Sequence, residues 1–280
     1  MTLPMTMPSL PCPLCTFAQA PRFAEVSDRL YFRCDRCRLI FLDPEQQPAP
    51  ETARAHYDLH ENDPADPRYR AFLDQLAAPL VDRLRAGDCG LDYGSGPGPT
   101  LSIMLQERGF PTDIYDPFYA PERSVLERKY DFIACTEVVE HFSRPAVEFD
   151  RLNRMLQPGG WLGIMTQMRD DSRPFQSWRY VQDPTHIAFY HADTMRWLAL
   201  RFGWVLENPI PNPAVNLFYK PSKRDLTRSR LPGDPAGLGS PDTVDQLRRR
   251  ISCDVQGEGM RMHNPLSELV LRPRFAWLRL

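Results

Sequence analysis

The stretch Leu91-Asp92-Tyr93-Gly94-Ser95-Gly96-Pro97-Gly98 decides the fold of this 280-residue chain. A short apolar strand over residues 89–93 runs into three glycines spaced two apart, and a helical pattern follows over about 100–108. Glycines in a strand-turn-helix let a ligand approach the backbone closely. The spacing differs from G-x-G-x-x-G, and an acid stands two residues before the first glycine. A carboxylate there opposes a pyrophosphate but suits a cofactor that carries an ammonium and a sulfonium. Capping of the turn is the competing role for Asp92.

Outward from this turn, strand and helix patterns alternate. Upstream, residues 68–85 place apolar side chains every three or four positions, which predicts a helix ending near Gly87 with Pro79 as a candidate kink. Downstream, strands are expected at 113–115, 130–136 and 161–166. Helices are expected at 146–156, closed by Pro158-Gly159-Gly160, and at 193–202, with two late strands at 204–207 and 214–219. Repeated strand-helix units imply a parallel sheet covered on both faces.

Seven cysteines include Cys12-Pro-Leu-Cys15 and Cys34-Asp-Arg-Cys37, two CxxC pairs 18 residues apart. That spacing belongs to zinc sites, and four thiolates make a closed structural centre. Short aromatic and aliphatic runs at 30–33 and 39–42 read as hairpin strands around it. Cys89 and Cys135 fall in strand patterns and are expected as buried small hydrophobes.

Charged residues make up 25% of the chain and the net charge is -2, so no global positive field draws in nucleic acid or an anionic membrane. The last 60 residues carry +4, with Arg248-Arg249-Arg250 in a possible short helix at 243–251, and the first 220 carry -6. Prolines number 29, about twice the usual ~5%, so many segments must be irregular or sharply punctuated. No apolar run approaches the roughly 18 residues of a spanning helix, and the N-terminus has no charged region of a secretory signal. A protein of the reducing cytoplasm, without structural disulfides, is expected.

The residues from about 89 to 220 resemble the class I S-adenosylmethionine-dependent methyltransferases, in the broad small-molecule methylase group. Four ordered segments carry the resemblance: Asp92 to Gly98, Asp116 at the end of the second strand, Tyr130-Asp-Phe-Ile-Ala-Cys-Thr-Glu-Val-Val-Glu-His-Phe142, and Leu152-Asn-Arg-Met-Leu-Gln-Pro-Gly-Gly-Trp-Leu-Gly-Ile164. The resemblance implies an α/β fold: a Rossmann-like seven-stranded sheet with helices on both faces and one antiparallel edge pair. It implies that Gly94, Ser95, Gly96 and Gly98 cradle S-adenosylmethionine, that Asp92 fixes its methionine end and that Asp116 holds the ribose. Asp116 as an ordinary turn residue before Pro117 is the alternative. Glu137 is a candidate cofactor contact and Glu140 a candidate cofactor or substrate contact, each with a solvent-facing or helix-capping role as its rival, and His141 is expected to pack beside Phe142. Residues 121–129 are too short and charged to show the third strand or the adenine contact.

The segment Thr185-His186-Ile-Ala-Phe189-Tyr190 resembles one that many members carry near the transferred methyl. His186 is the candidate base for an acceptor hydroxyl, a structural histidine being the alternative. Tyr190 and Trp178, with Arg179 and Tyr180, are expected to line the substrate pocket. The expected organisation is a zinc ribbon at 1–45, a helical connector at 46–88, the methyltransferase core at 89–220 and a basic, Pro/Arg-rich extension at 221–280. The expected activity is methylation of a small-molecule acceptor at an O- or C-nucleophile, with structural zinc. A zinc-ribbon RNA methyltransferase and a non-catalytic scaffold are the alternatives, and the -6 balance opposes an extended phosphate-binding surface.

Overall fold

Period-two alternation sorts the central strands onto two faces, and each face recruits its own helices. The computed structural model describes residues 9–59, 62–207 and 210–227. Along the chain run β1 (Ser9–Leu10), β2 (Ala20–Val26), β3 (Arg29–Arg33), β4 (Ile40–Leu42), α1 (Pro50–Tyr57) and α2 (Pro67–Val81). Then follow β5 (Gly90–Tyr93), α3 (Thr100–Glu107), β6 (Thr112–Tyr115), β7 (Tyr130–Thr136), α4 (Pro145–Met155) and β8 (Leu156–Met165). The described part closes with β9 (Ala188–Phe189), α5 (Ala192–Phe202), β10 (Val205–Glu207), β11 (Val215–Tyr219) and α6 (Lys223–Thr227).

One sheet has the order β10-β11-β8-β7-β5-β6. β5 pairs in parallel with β6 and β7, and β7 with β8, while β11 and β10 add an antiparallel edge. Ile133, Cys135, Leu162, Ile164 and Phe218 point to one face, where α4 supplies Phe149 and Leu152 and α5 supplies Met195 and Leu198. Phe132, Ala134, Trp161, Met165 and Leu217 point to the other, against Leu73, Leu76 and Leu80 of α2 and Leu101, Met104 and Leu105 of α3. Leu76 is fully buried where Gly163 leaves room for it, since a Cβ there would stand 2.9 Å from Leu76 Cδ1. Leu76→Ala should therefore cost about 2–5 kcal/mol, read as a lowered urea midpoint at unchanged slope.

The alternating α/β sheet with helices on both faces agrees with the expectation, but among the described residues it has six strands, not seven. Arg123–Glu127 forms a 3₁₀ turn where the further strand is expected, opened by the Glu122 carboxylate accepting the Ser124 N–H at 2.9 Å. A strand buried on both faces needs a near-continuous apolar run, which this charged stretch lacks. The helix expected at 68–85 runs instead over Pro67–Val81, started by the Asp66 side chain accepting the Arg68 N–H at 2.8 Å, and Pro79 lies inside its last turn. Pro158-Gly159-Gly160 belongs to β8 rather than to a turn before it. Cys135 is buried as expected, whereas Cys89 precedes its strand and is exposed.

A second sheet, β1-β2-β3-β4-β9, is antiparallel throughout. Its first four strands come from the cysteine-bearing N-terminus and its fifth from the segment after His186. Ile40 pairs with Phe189 and Phe41 with Ala188. The Arg29 guanidinium donates to the carbonyls of Asp183 (3.3 Å), Pro184 (3.0 Å) and His186 (3.2 Å). Trp178 packs at this seam, its ring centroid 5.7 Å from that of Phe189. The described residues accordingly form one compact unit. The remainder of the basic extension, with the possible helix at 243–251, lies outside the described residues.

Candidate active site

β5 ends the sheet's central run and delivers Asp92 and Tyr93 into the glycine turn. Neighbouring strands diverge here, β6 to one side and β7 to the other, which is where open α/β sheets bind ligands. Gly94 has φ +86°, and a Cβ on it would stand 2.4 Å from Val138 Cγ2. A Cβ on Gly98 would stand 2.1 Å from the backbone oxygen of Asn62, which also accepts from the Thr100 hydroxyl at 3.3 Å. The turn thus needs glycine to form and to admit the segment ahead of α2.

The turn carries polar groups suited to a ligand. Ser95 Oγ is buried with no hydrogen-bond partner, as is Thr136 Oγ1 at the end of β7. Asp92 is 3% exposed, and burial, opposed by the Ser102 N–H and assisted by Asp116, pushes its carboxyl up to about 7. Asp116 accepts from the N–H groups of Gly96 (3.0 Å), Phe118 (2.8 Å) and Tyr119 (3.1 Å). One carboxylate ties the glycine turn to the loop after β6, using three of its roughly four acceptor positions.

Connector residues that carry no motif complete the surroundings. The Tyr69 phenol is held above its ordinary range by burial first, then by the Asp92 and Glu137 carboxylates. Burial also raises Tyr57, as do the charges of Asp183, Glu140 and Asp116. Its ring lies 5.2 Å from the His141 ring and 5.9 Å from that of Phe118. Phenols on α1 and α2 therefore see both the acids of the glycine turn and the group at the end of β7.

That group converges from four segments. Glu137 follows β7 with φ +52°, a left-handed conformation uncommon outside glycine and costing of order 1 kcal/mol. Its carboxylate lies 3.2 Å from the Tyr180 hydroxyl, which donates a short bond to Glu140. Glu140, fully buried, also accepts from the Thr166 hydroxyl at 3.1 Å. Burial and then Glu140 push Glu137 well above the carboxylate range. His186 Nδ1 lies 2.7 Å from the Tyr180 carbonyl and His141 Nδ1 2.9 Å from the Thr185 carbonyl, the two rings meeting at 4.9 Å. A carbonyl fixes the proton on Nδ1 and leaves a lone pair on Nε2. Burial lowers His186, aided by His141 and opposed by Glu140 and Asp183. Asp183 is held at about 2, His186, Thr185 and His56 outweighing its burial.

Three sequence readings change. Tyr190 does not line a pocket: it is fully buried and donates to the Val139 carbonyl at 2.9 Å, bracing the end of β7. Trp178 belongs to the seam between the sheets and reaches His186 only through Tyr180, 5.2 Å away. His141 is no mere neighbour of Phe142. It faces His186, a pairing that no local pattern announces.

The cysteines meet in a second cluster. Cys12 and Cys37 sulfurs are 3.6 Å apart, those of Cys15 and Cys34 3.3 Å, and all four lie within 4.8 Å of one another, buried. A tetrahedral zinc with 2.3 Å bonds needs sulfurs about 3.8 Å apart, so the donors fit. The two turns repeat one geometry: Cys12 N–H donates to Phe17 O and Thr16 N–H to Cys12 O, as Cys34 N–H does to Leu39 O and Arg38 N–H to Cys34 O. Thr16 and Arg38 both take positive φ.

A family model described as a methyltransferase domain matches residues 65–208. No curated protein matches the chain. Among solved structures, an O-methyltransferase family protein from Burkholderia thailandensis is 19% identical, with a TM-score of 0.41, covering 62% of this chain and 63% of its own. The 1,6-didemethyltoxoflavin-N1-methyltransferase of the same organism, solved with 1,6-didemethyltoxoflavin and S-adenosylhomocysteine, is 15% identical, covering 72% and 99%, with a TM-score of 0.45. The chain spans less than two thirds of the first of these. No helix among the described residues is long and apolar enough to cross a membrane. With just over half its length matched by that family model, around a glycine turn and acids arranged as above, the chain belongs to the methyltransferase-domain family.

Proposed function

We propose that the protein transfers a methyl group from S-adenosylmethionine to a small-molecule hydroxyl at the carboxyl ends of β5 and β7. The observation that carries this reading is the continuity of the two polar groups: the Tyr57 ring lies 5.9 Å from that of Phe118, whose N–H donates to Asp116, and 5.2 Å from that of His141, which meets His186. When bound, the cofactor supplies an activated methyl on a sulfonium. Gly94, Ser95, Gly96 and Gly98 would hold it, with Asp92 toward its ammonium and Asp116 toward its ribose. Ser95 Oγ, buried without a partner, is a donor such a ligand would satisfy. Glu137 borders this site but bonds toward Tyr180.

His186 is proposed to handle the acceptor's proton, its Nε2 lone pair being left available by the bond from Nδ1. Because the methyl is already activated, the protein mainly orients the reactants and excludes water, effects worth several kcal/mol. The N-terminal cysteine module, proposed to hold structural zinc, is read as a brace for the His186 segment and not as an RNA-binding arm.

Asp116→Ala tests the cofactor site. It removes the acceptor of three backbone N–H groups together with the ribose contact, so cofactor affinity should fall at least tenfold in calorimetric titration, about 1.4 kcal/mol or more. Unchanged affinity would remove Asp116 from the site.

A further inference from the structure

Glu140, His141 and His186 form a cluster that general-base catalysis alone does not use. One donor atom from each lies within 4.8 Å of the others. Both imidazoles are anchored through Nδ1 on backbone carbonyls, at 2.9 and 2.7 Å, so each presents the Nε2 lone pair. Metal-ligating histidines are oriented in this way, the second ring nitrogen fixed by a carbonyl or carboxylate. The charge points in the same direction. Glu140 is completely buried and Glu137 lies beside it on the same phenol, yet their partners are the hydroxyls of Tyr180 and Thr166, not a Lys or Arg side chain. Burial with hydroxyl partners alone leaves the Glu140 carboxyl oxygens without a charged partner, which a cation would supply.

We infer that Glu140, His141 and His186 bind a divalent cation, distinct from the cysteine-held zinc, which takes the acceptor's hydroxyl oxygen in its open coordination positions. Two imidazoles and one carboxylate suit Mn²⁺, Fe²⁺ or Zn²⁺ better than Mg²⁺, which prefers oxygen ligands. Three protein ligands leave positions for substrate, as catalytic sites do and closed structural sites do not. On coordination the hydroxyl proton passes to solvent, the electron pair stays on oxygen and the cation offsets its charge. Oxygen then forms its bond to the methyl carbon as the carbon–sulfur bond breaks, its electron pair remaining on sulfur. His186 serves here as a ligand, with the lone pair that would otherwise take the proton. The inference rests on the acceptor site proposed above, keeps its hydroxyl acceptor, and assigns activation of that hydroxyl to the cation in place of proton transfer to His186.

Manganese alone tests it. Full-length protein is first loaded with one zinc per chain, which the four thiolates take, and Mn²⁺ is titrated under electron paramagnetic resonance. One Mn²⁺ should bind per chain, and Glu140→Gln or His141→Ala should weaken it at least about tenfold while the zinc content stays at one. In the wild-type protein, Mn²⁺ should broaden the imidazole NMR signals of His141 and His186 before those of other histidines, a readout that needs no variant to fold. If wild-type protein retains no Mn²⁺, or other histidines broaden first, the inference is overturned. Cofactor titration without manganese reports separately on the methyltransferase reading, so one can fail while the other stands.

Discussion

Cys34→Ser is expected to release the zinc and, with it, the order of the His186 segment, although the cysteine module belongs to the second sheet and the glycine turn to the first. Structural zinc supplies on the order of 10–16 kcal/mol to small modules, which are often unfolded without it. Here β4 is one side of the pairing that holds β9, the Leu42 N–H donates to the Ile187 carbonyl at 2.9 Å, and Arg29 on β3 grips three carbonyls of residues 183–186. Losing the module frees the backbone that aims His186 and Tyr180. A misplacement of about 1 Å costs on the order of a hundredfold in rate, so turnover on an identified acceptor should fall at least that far. Cofactor affinity should change much less, because the glycine turn is built by β5, α3 and the loop after β6. Metal analysis should give one zinc fewer per chain in the variant than in the wild type, and amide exchange should quicken across residues 183–190. Loss of zinc with unchanged exchange there would separate the module from the site.

The parts legible in the sequence are those whose chemistry is local. Gly94 to Gly98 announce a turn because its positive φ values at Gly94 and Gly96 are set within five residues, although the neighbours that need the missing Cβ atoms, Val138 and Asn62, lie far away in sequence, and each CxxC pair announces a knuckle that closes on itself. The alternation Phe132-Ile133-Ala134-Cys135 reveals β7 because both faces are buried. The illegible parts are assembled at a distance. β9 is two residues long, and its pairing with β4 lies across almost 150 positions, so neither propensity nor period betrays it. It turns Tyr190 into a brace and Trp178 into a seam residue. Tyr57, Asn62 and Tyr69 stand in a stretch read only as a connector; their importance comes from where α1 and α2 dock. Glu140, His141 and His186 form one cluster only after β7 and the segment beyond β8 meet. Residues 121–129 are charged and lack an apolar run, so the further strand that the resemblance implies is replaced there by the 3₁₀ turn of Arg123–Glu127.

Cofactor affinity should fall about fiftyfold between pH 7 and pH 5, and Asp92 is the reason. In the free protein its carboxyl is raised to about 7 because it is buried, with Asp116 nearby, and only the Ser102 N–H favours its charge. A folded-state value above the unfolded ~3.9 means that folding favours the protonated acid. Its contribution to stability is complete below about pH 4 and disappears as pH rises through 7, so the free protein should lose stability across that window. An ammonium needs the opposite form. Binding must therefore strip the proton, and below the free protein's value the affinity drops toward tenfold per pH unit. Above about pH 8 an α-ammonium itself deprotonates, which gives a second limb and an optimum between them. Calorimetry at pH 6 in buffers of different ionisation enthalpy should register release of close to one proton per cofactor bound. Asp92→Asn keeps the size and removes the titration, so it should bind weakly with the acid limb flattened. An acid limb that persists in the variant would assign the proton to another group, and proton-neutral binding by the wild type would mean that Asp92 meets the cofactor uncharged.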